Sequence, residues 1–242
     1  MTVKTKPFCI FNDDGFESEY TRFLIKHLIF QGNTVYSFLP KYNQSGVSNS
    51  ISIFREIKIE EKSDMRYVIN GTPADCVIFA MSFLKANDIK IDLSLVGINE
   101  GLNIGQAKKY SGTISAALES VSYNVPTLAI SSAVAHYRCN YSRLFDVLDK
   151  VILYVCKHCD SNNIIGLNLN FLNFNSQKII AEHKCVDYDN KLYEIIKSSN
   201  SFKIVLSKRV NKLPQDVFLL LDTLTPLKEF KVEKLIYYLE GN

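Results

Sequence analysis

The chain lacks any apolar run near the ~20 residues that a bilayer-spanning helix requires, so no membrane segment is expected. It also lacks an excess of charge of either sign. Twenty-eight basic residues stand against 25 acidic ones, for a formal net charge of +3. The two signs are interleaved, which excludes the broad basic face of a protein that binds nucleic-acid polymers, and Lys108-Lys109 is too small a cluster to change that. Met1 to Lys6 is polar and the apolar run behind it is only about five residues long, which is no secretory signal. The expectation is a soluble, cytoplasmic protein. Internal repeats, low-complexity tracts and a nucleotide P-loop are absent as well. Six cysteines are present, but Cys156-Lys-His-Cys159 has no second C-x-x-C to complete a zinc site. With no secretory signal, Cys9, Cys76, Cys139, Cys156, Cys159 and Cys185 read as free thiols, although His183 and Cys185 are the residues that would have to join any metal site there.

What is present is enough apolar material, 47% of residues, to bury a sizeable core in 242 residues. This length fits one large α/β domain, or a core with a smaller second lobe. Strand-like and helix-like patterns alternate through the first half with short connections, the mark of a parallel sheet with right-handed crossovers. Strands are expected at Pro7–Phe11, Thr34–Leu39, Leu93–Ile98 and Pro126–Ile130. Between them, apolar residues at helical spacing predict helices from Glu19 to Phe30, from Pro73 to about Lys85 behind a Thr72 N-cap, and from Ser111 to about Ser122. Ile57–Glu60 and Arg66–Ile69 read as two exposed strands, a candidate hairpin. Tyr141–Cys156 is strongly amphipathic, and a strand follows near Ile165–Phe171. Beyond it, Lys178–Ala181 and Phe202–Leu206 read as strands and Val217–Leu221 as helix or strand. The asparagines of 162–175 read as compositional bias.

The chemistry concentrates where the first strand empties into Asn12-Asp13-Asp14-Gly15. Adjacent carboxylates at the carboxyl end of a buried parallel strand are costly unless a cation neutralises them, and open α/β sheets place their ligands at that edge. The alternative is that one aspartate caps the next helix and Gly15 supplies the turn. Two further loops, Tyr42–Ser50 and Gly97–Gly105, leave the same edge and offer the Ser45 hydroxyl and the Asn99 amide oxygen. Alone, each of these is a turn former. Together with Asp13 and Asp14 they make an all-oxygen set suited to Mg²⁺ or Mn²⁺. A fourth loop ends in Ser111-Gly112-Thr113 at a helix start, where backbone N–H groups favour an anion or merely accept an ordinary cap. A metal next to an anion cradle, with no P-loop, points to phosphate-ester hydrolysis. A phospho-aspartate phosphatase is disfavoured, because Gly15 stands where its second carboxylate is needed.

Asn12-Asp-Asp-Gly15, Asn43-Gln-Ser-Gly-Val-Ser-Asn-Ser50, Gly71-Thr-Pro-Ala-Asp-Cys-Val77, Gly97-Ile-Asn-Glu-Gly-Leu-Asn-Ile-Gly105 and Tyr110-Ser-Gly-Thr-Ile-Ser-Ala-Ala117 occur in an order that resembles the SurE family of metal-dependent 5′/3′-nucleotidases. Leu167-Asn-Leu-Asn-Phe171 and Thr223-Leu-Thr-Pro-Leu227 extend the likeness over most of the chain. The resemblance implies an α/β, Rossmann-like three-layer core with a mainly parallel sheet and a C-terminal extension that is exchanged on oligomerisation. In domain terms it implies one unit over 1–242, with a catalytic core at 1–135. Residues 136–242 would complete the sheet and carry contacts for a dimer or tetramer. It implies one divalent ion per subunit, Mg²⁺ or Mn²⁺, on Asp13, Asp14, Ser45 and Asn99. Gly46, Asn103, Ser111, Gly112 and Thr113 match the surroundings of the phosphate, and Asp13, Asp14 and Asn103 the catalytic group. The implied substrates are nucleoside 5′- and 3′-monophosphates, with short polyphosphate as an addition. Phe11 replaces the usual Thr, no Pro-Gly turn follows Gly15, and Gln106-Ala-Lys-Lys109 lacks the acidic residues common there. The alternative is therefore a catalytically weak or silent relative that keeps the fold and binds metal or nucleotide.

Overall fold

The computed structural model describes residues 6–133, 141–159, 164–181, 193–198, 201–206, 217–224 and 232–241. Its first strand, β1 (Pro7–Phe11), is buried on both faces. Phe8 and Ile10 point into one apolar cluster, and Cys9 and Phe11 into another. The alternation places a helix layer on each side of the sheet. On one side lie α1 (Glu19–Phe30), α4 (Tyr141–His158) and α5 (Val232–Leu239), contributing Leu24, Leu28, Leu144, Leu148 and Leu235. On the other lie α2 (Pro73–Ala86) and α3 (Gly112–Ser122), contributing Val77, Ala80, Leu84, Ile114 and Ala117.

The remaining strands are β2 (Thr34–Pro40), β3 (Ile59–Ser63), β4 (Arg66–Ile69), β5 (Leu93–Glu100), β6 (Thr127–Ser132), β7 (Gly166–Phe171), β8 (Lys178–Ala181), β9 (Tyr193–Ser198), β10 (Ser201–Leu206) and β11 (Val217–Thr223). Nine of the eleven form one sheet in the order β3-β4-β2-β1-β5-β6-β7-β11-β8, and β9 and β10 pair separately as an antiparallel ladder. The centre, from β4 to β7, is parallel throughout. Only the β3–β4 and β7–β11 pairs run antiparallel within it. From β1 the chain passes first to β2 on one side and later to β5 on the other. The loops after β1, β2 and β5 therefore open at the carboxyl edge where the order reverses.

Local chemistry fixes the helices that border this edge. The Ser18 hydroxyl accepts from the Thr21 N–H at 3.3 Å to start α1, which runs to Phe30 as its spacing predicts and is capped by Gln31. At α2, Thr72 and Asp75 form a reciprocal capping box, with Pro73 at the first turn. Asp75 also accepts from the Ser52 N–H at 2.8 Å and the Ser52 hydroxyl at 2.6 Å, so one carboxylate joins the helix to the segment after the second loop.

One expectation changes and one open alternative is resolved. Of the hairpin expected to be exposed, only β3 is. Tyr67, Val68 and Ile69 of β4 are buried because β4 is interior, parallel to β2. Val217–Thr223 is a strand, and β9 and α5 carry no expectation from the sequence. Cys9, Cys76, Cys156 and Cys159 are free thiols, whereas Cys139, His183 and Cys185 lie outside the described residues. Among the described residues no helix is long and apolar enough to cross a membrane.

Burial raises the Asp75 pKa, but the bonds from Ser52 and Thr72 outweigh it and hold the carboxyl below its usual range. A depressed folded-state pKa adds stability above the unfolded value, and that stability is lost as pH falls through the folded one. Asp75→Ala is expected to cost about 2 kcal/mol in urea unfolding at neutral pH, a difference that shrinks in acid.

Candidate active site

Asp13 is buried at 3% exposure directly beyond β1. Its Oδ1 accepts from the Thr113 hydroxyl at 2.6 Å. The backbone N–H groups of Gly112 and Thr113 donate to the same carboxylate. The anion that the start of α3 faces is thus Asp13 itself, as expected of the positive end of a helix. Gly112 is needed for this approach, since a Cβ there would lie 2.7 Å from the Asp13 Cβ and 2.9 Å from its Oδ2. Ser111 caps α3, its hydroxyl accepting from the Ile114 N–H at 3.0 Å. The helix start that spacing alone marks as an anion site is therefore already organised around a carboxylate.

Asp14 is supported less. Its Oδ2 accepts a long 3.4 Å bond from the Glu100 N–H. Burial, then the adjacent Asp13 charge, lifts its carboxyl to about 7, with the Glu100 charge adding to the rise. Burial raises Asp13 as well, against the pull of its donors. Asn12 holds the turn that carries both. Its amide donates to the Gly15 carbonyl and the Thr21 hydroxyl, each at 2.8 Å, while its oxygen accepts from the Gly15 N–H at 3.3 Å.

The neighbouring loops close around this turn. The Gln44 N–H donates to the Asp13 carbonyl at 2.6 Å. Gly15, at φ +96°, lets the backbone of Tyr42 and Asn43 approach to where a Cβ would lie 2.9 Å from the Tyr42 carbonyl carbon. Ser45 and Gly46 are exposed on this second loop, with the Ser45 N–H bonded to the Asn43 side chain at 2.9 Å. Asn99 is buried at the end of β5. Its amide nitrogen donates to the Gly101 carbonyl at 2.8 Å, which leaves the oxygen as the atom able to coordinate.

Asn103 is buried and held from below. Its N–H donates to Asn170 Oδ1 at 2.8 Å and its amide nitrogen to the Ser131 hydroxyl at 2.9 Å. Its carbonyl accepts from Asn168 at 2.8 Å and Asn170 at 3.3 Å. Asn168 and Asn170 are fully buried, so the asparagines of β7 are a polar platform under the third loop and not compositional bias. The signal was in the sequence: in Leu167-Asn-Leu-Asn-Phe171 the apolar residues all enter one core and the asparagines alternate with them. Beside them, Lys108 of the 3₁₀ turn Gly105–Tyr110 pairs with Asp222 of β11 at 2.5 Å.

A divalent cation fits this donor set. Asp13 is buried and Asp14 half-buried, both have raised pKa values, and among the described residues no cation pairs with either. The neighbouring neutral donors are oxygens, as hard cations require. Among the described residues no three His, Cys, Asp or Glu side chains cluster, so an ion here would rest on the two aspartates and on neutral oxygens.

The sequence profile of the family described as survival protein SurE matches residues 8–192. The chain belongs to the SurE family. A 5′-nucleotidase SurE from Clostridium beijerinckii is 38% identical over 183 residues, 73% of this chain and 70% of that protein. One from Clostridium botulinum is 35% identical over 189 residues, 75% of this chain and 72% of the relative. The crystal structure of the SurE protein from Aquifex aeolicus superposes with a TM-score of 0.71 at 24% identity, covering 97% of this chain and all of that one, and shows the shared SurE fold.

Gly112→Ala is expected to push Asp13 off the start of α3. An overpacked Cβ of this kind costs about 1–3 kcal/mol, read as a lowered urea midpoint with an unchanged slope.

Proposed function

We propose that this chain is a divalent-metal-dependent 5′-nucleotidase that hydrolyses nucleoside 5′-monophosphates to nucleoside and phosphate. The observation that carries the reading is the adjacent pair of buried Asp13 and half-buried Asp14 at the switch point of the sheet, in a chain whose relatives at 35–38% identity are named 5′-nucleotidases. Asp13, Asp14, Ser45 and Asn99 would hold one Mg²⁺ or Mn²⁺ per chain. When bound, such an ion supplies Lewis acidity at a phosphate oxygen and a more acidic water.

The protein's own groups do the rest. Thr113 and the Gly112 and Thr113 N–H groups hold the Asp13 carboxylate, which would meet an ion with little rearrangement. Asn103, the Ser111 hydroxyl and the exposed turn at Gly46 are the proposed contacts to the phosphoryl oxygens, where charge spreads as the ester bond breaks. The platform of Ser131, Asn168 and Asn170 keeps Asn103 in place without touching substrate. Nucleoside 3′-monophosphates and short polyphosphate are further substrates in this reading, and self-association as a dimer or tetramer belongs to it.

The test is phosphate release from AMP and GMP with Mg²⁺, Mn²⁺ or EDTA. Turnover is expected with metal only, falling more than about a hundredfold in Asp13→Asn and in Asp14→Asn. Release that survives EDTA, or near-normal rates in either variant, contradicts the proposal. A second assay addresses the platform. Asn170→Ala removes two hydrogen bonds to Asn103, and kcat for AMP is expected to fall by about tenfold.

A further inference from the structure

The groups described so far would treat any phosphomonoester alike, because each acts on the metal or the phosphate. A nucleotide differs from a sugar phosphate in its base. The rim of the same site carries two side chains with the chemistry to recognise one.

The three loop segments close into a ring. The first and second are joined by the Gln44 N–H to the Asp13 carbonyl at 2.6 Å. The second and fourth are joined by the Ser48 N–H to the Tyr110 carbonyl at 3.0 Å and by the Ser48 hydroxyl to the Lys109 carbonyl at 2.7 Å. The fourth returns to the first through the Thr113 hydroxyl on Asp13 at 2.6 Å. Within residues 12–15, 42–48 and 99–113, the large apolar side chains left exposed are Tyr42, at 61%, and Tyr110, at 47%. Both backbones are fixed by the ring. Tyr42 lies against Gly15, and Tyr110 immediately precedes the Ser111 cap of α3.

Exposed tyrosines are ordinary on protein surfaces and usually need no explanation. These two differ in that each projects from a pinned backbone on the closed rim of a polar, carboxylate-lined site. A tyrosine ring loses little entropy on contact and offers a flat face to a base, so anchored rings are economical stacking surfaces. Lys41 Nζ lies 5.7 Å from the centre of the Tyr42 ring, and Lys109 directly precedes Tyr110. Lys41 also pairs with Glu60 at 3.4 Å, and its positive charge is placed beside the Tyr42 ring, which suits an anionic ligand carrying a π-system.

We propose that Tyr42 and Tyr110 form a stacking platform for the nucleobase, which makes them specificity-determining residues that favour nucleotides over base-free phosphomonoesters. The proposal rests on the nucleotidase reading and specifies its substrate class. Base identity is read weakly by such a platform, because every base has a π-face.

The experiment compares kcat/KM for AMP and for ribose 5-phosphate in the wild type, Tyr42→Ala, Tyr110→Ala and Tyr110→Phe. Wild type is expected to prefer AMP by about tenfold or more. Each alanine variant should lose most of that preference through a raised KM for AMP, with ribose 5-phosphate changed by less than about twofold. Tyr110→Phe keeps the ring and should keep the preference. Equal losses on both substrates, or an AMP preference untouched in both alanine variants, overturns the platform and leaves the nucleotidase reading standing. A wild type that hydrolyses neither substrate with metal present overturns both.

Discussion

Two carboxylates forced side by side at the end of a buried strand are the constraint on which the rest of this site depends. Both carry a cost of burial, and Asp14 also feels the charge of Asp13 beside it. The fold compensates them unequally. Asp13 receives a hydroxyl and two backbone N–H groups at the start of α3, whereas Asp14 has one long backbone bond and is lifted to about 7. An arrangement that organises one carboxylate and leaves the other short of partners is what a site for an external cation looks like before the cation is counted.

The glycines and loop contacts follow from the same demand. Gly112 is bare because Asp13 packs against it, and Gly15 is bare because the second loop must pass close behind the turn. Below the third loop the sheet itself turns polar. Ser131, Asn168 and Asn170, all fully buried, offset their burial by fixing Asn103. Strand β7 is therefore divided in function between its two faces. One face, with Leu167, Leu169 and Phe171, builds the core against α4 and α5, and the other supports the site.

Much of this was legible from the sequence, and the reason is physical. Caps and spacing act locally, so α2 and α3 sit where Thr72-Pro73 and Ser111 announce them, and α1 spans Glu19–Phe30 as its apolar spacing predicts. The convergence of the loops after β1, β2 and β5 was legible because a parallel sheet places all strand ends of one sense on one edge. What escaped depends on non-local pairing. The burial of Tyr67, Val68 and Ile69 is set by β4 lying between β3 and β2, which no local pattern encodes. The β7 asparagines were hidden for a similar reason, since their partners lie more than sixty residues away. That the start of α3 serves Asp13 needed the two side chains to be seen together.

The central claim is that the Asp13–Asp14 pair is completed by a divalent cation. Thermal unfolding of the wild type, Asp13→Asn and Asp14→Asn, each with EDTA or with saturating Mn²⁺, tests this without reference to turnover. Ligand binding to the native state raises Tm by mass action, so Mn²⁺ is predicted to raise the wild-type Tm and to leave both variants unmoved. With EDTA, Asp14→Asn should melt no lower than the wild type, because it removes a half-buried carboxyl whose charged form Asp13 disfavours. An equal Mn²⁺ shift in all three proteins, or none in the wild type, would contradict the account.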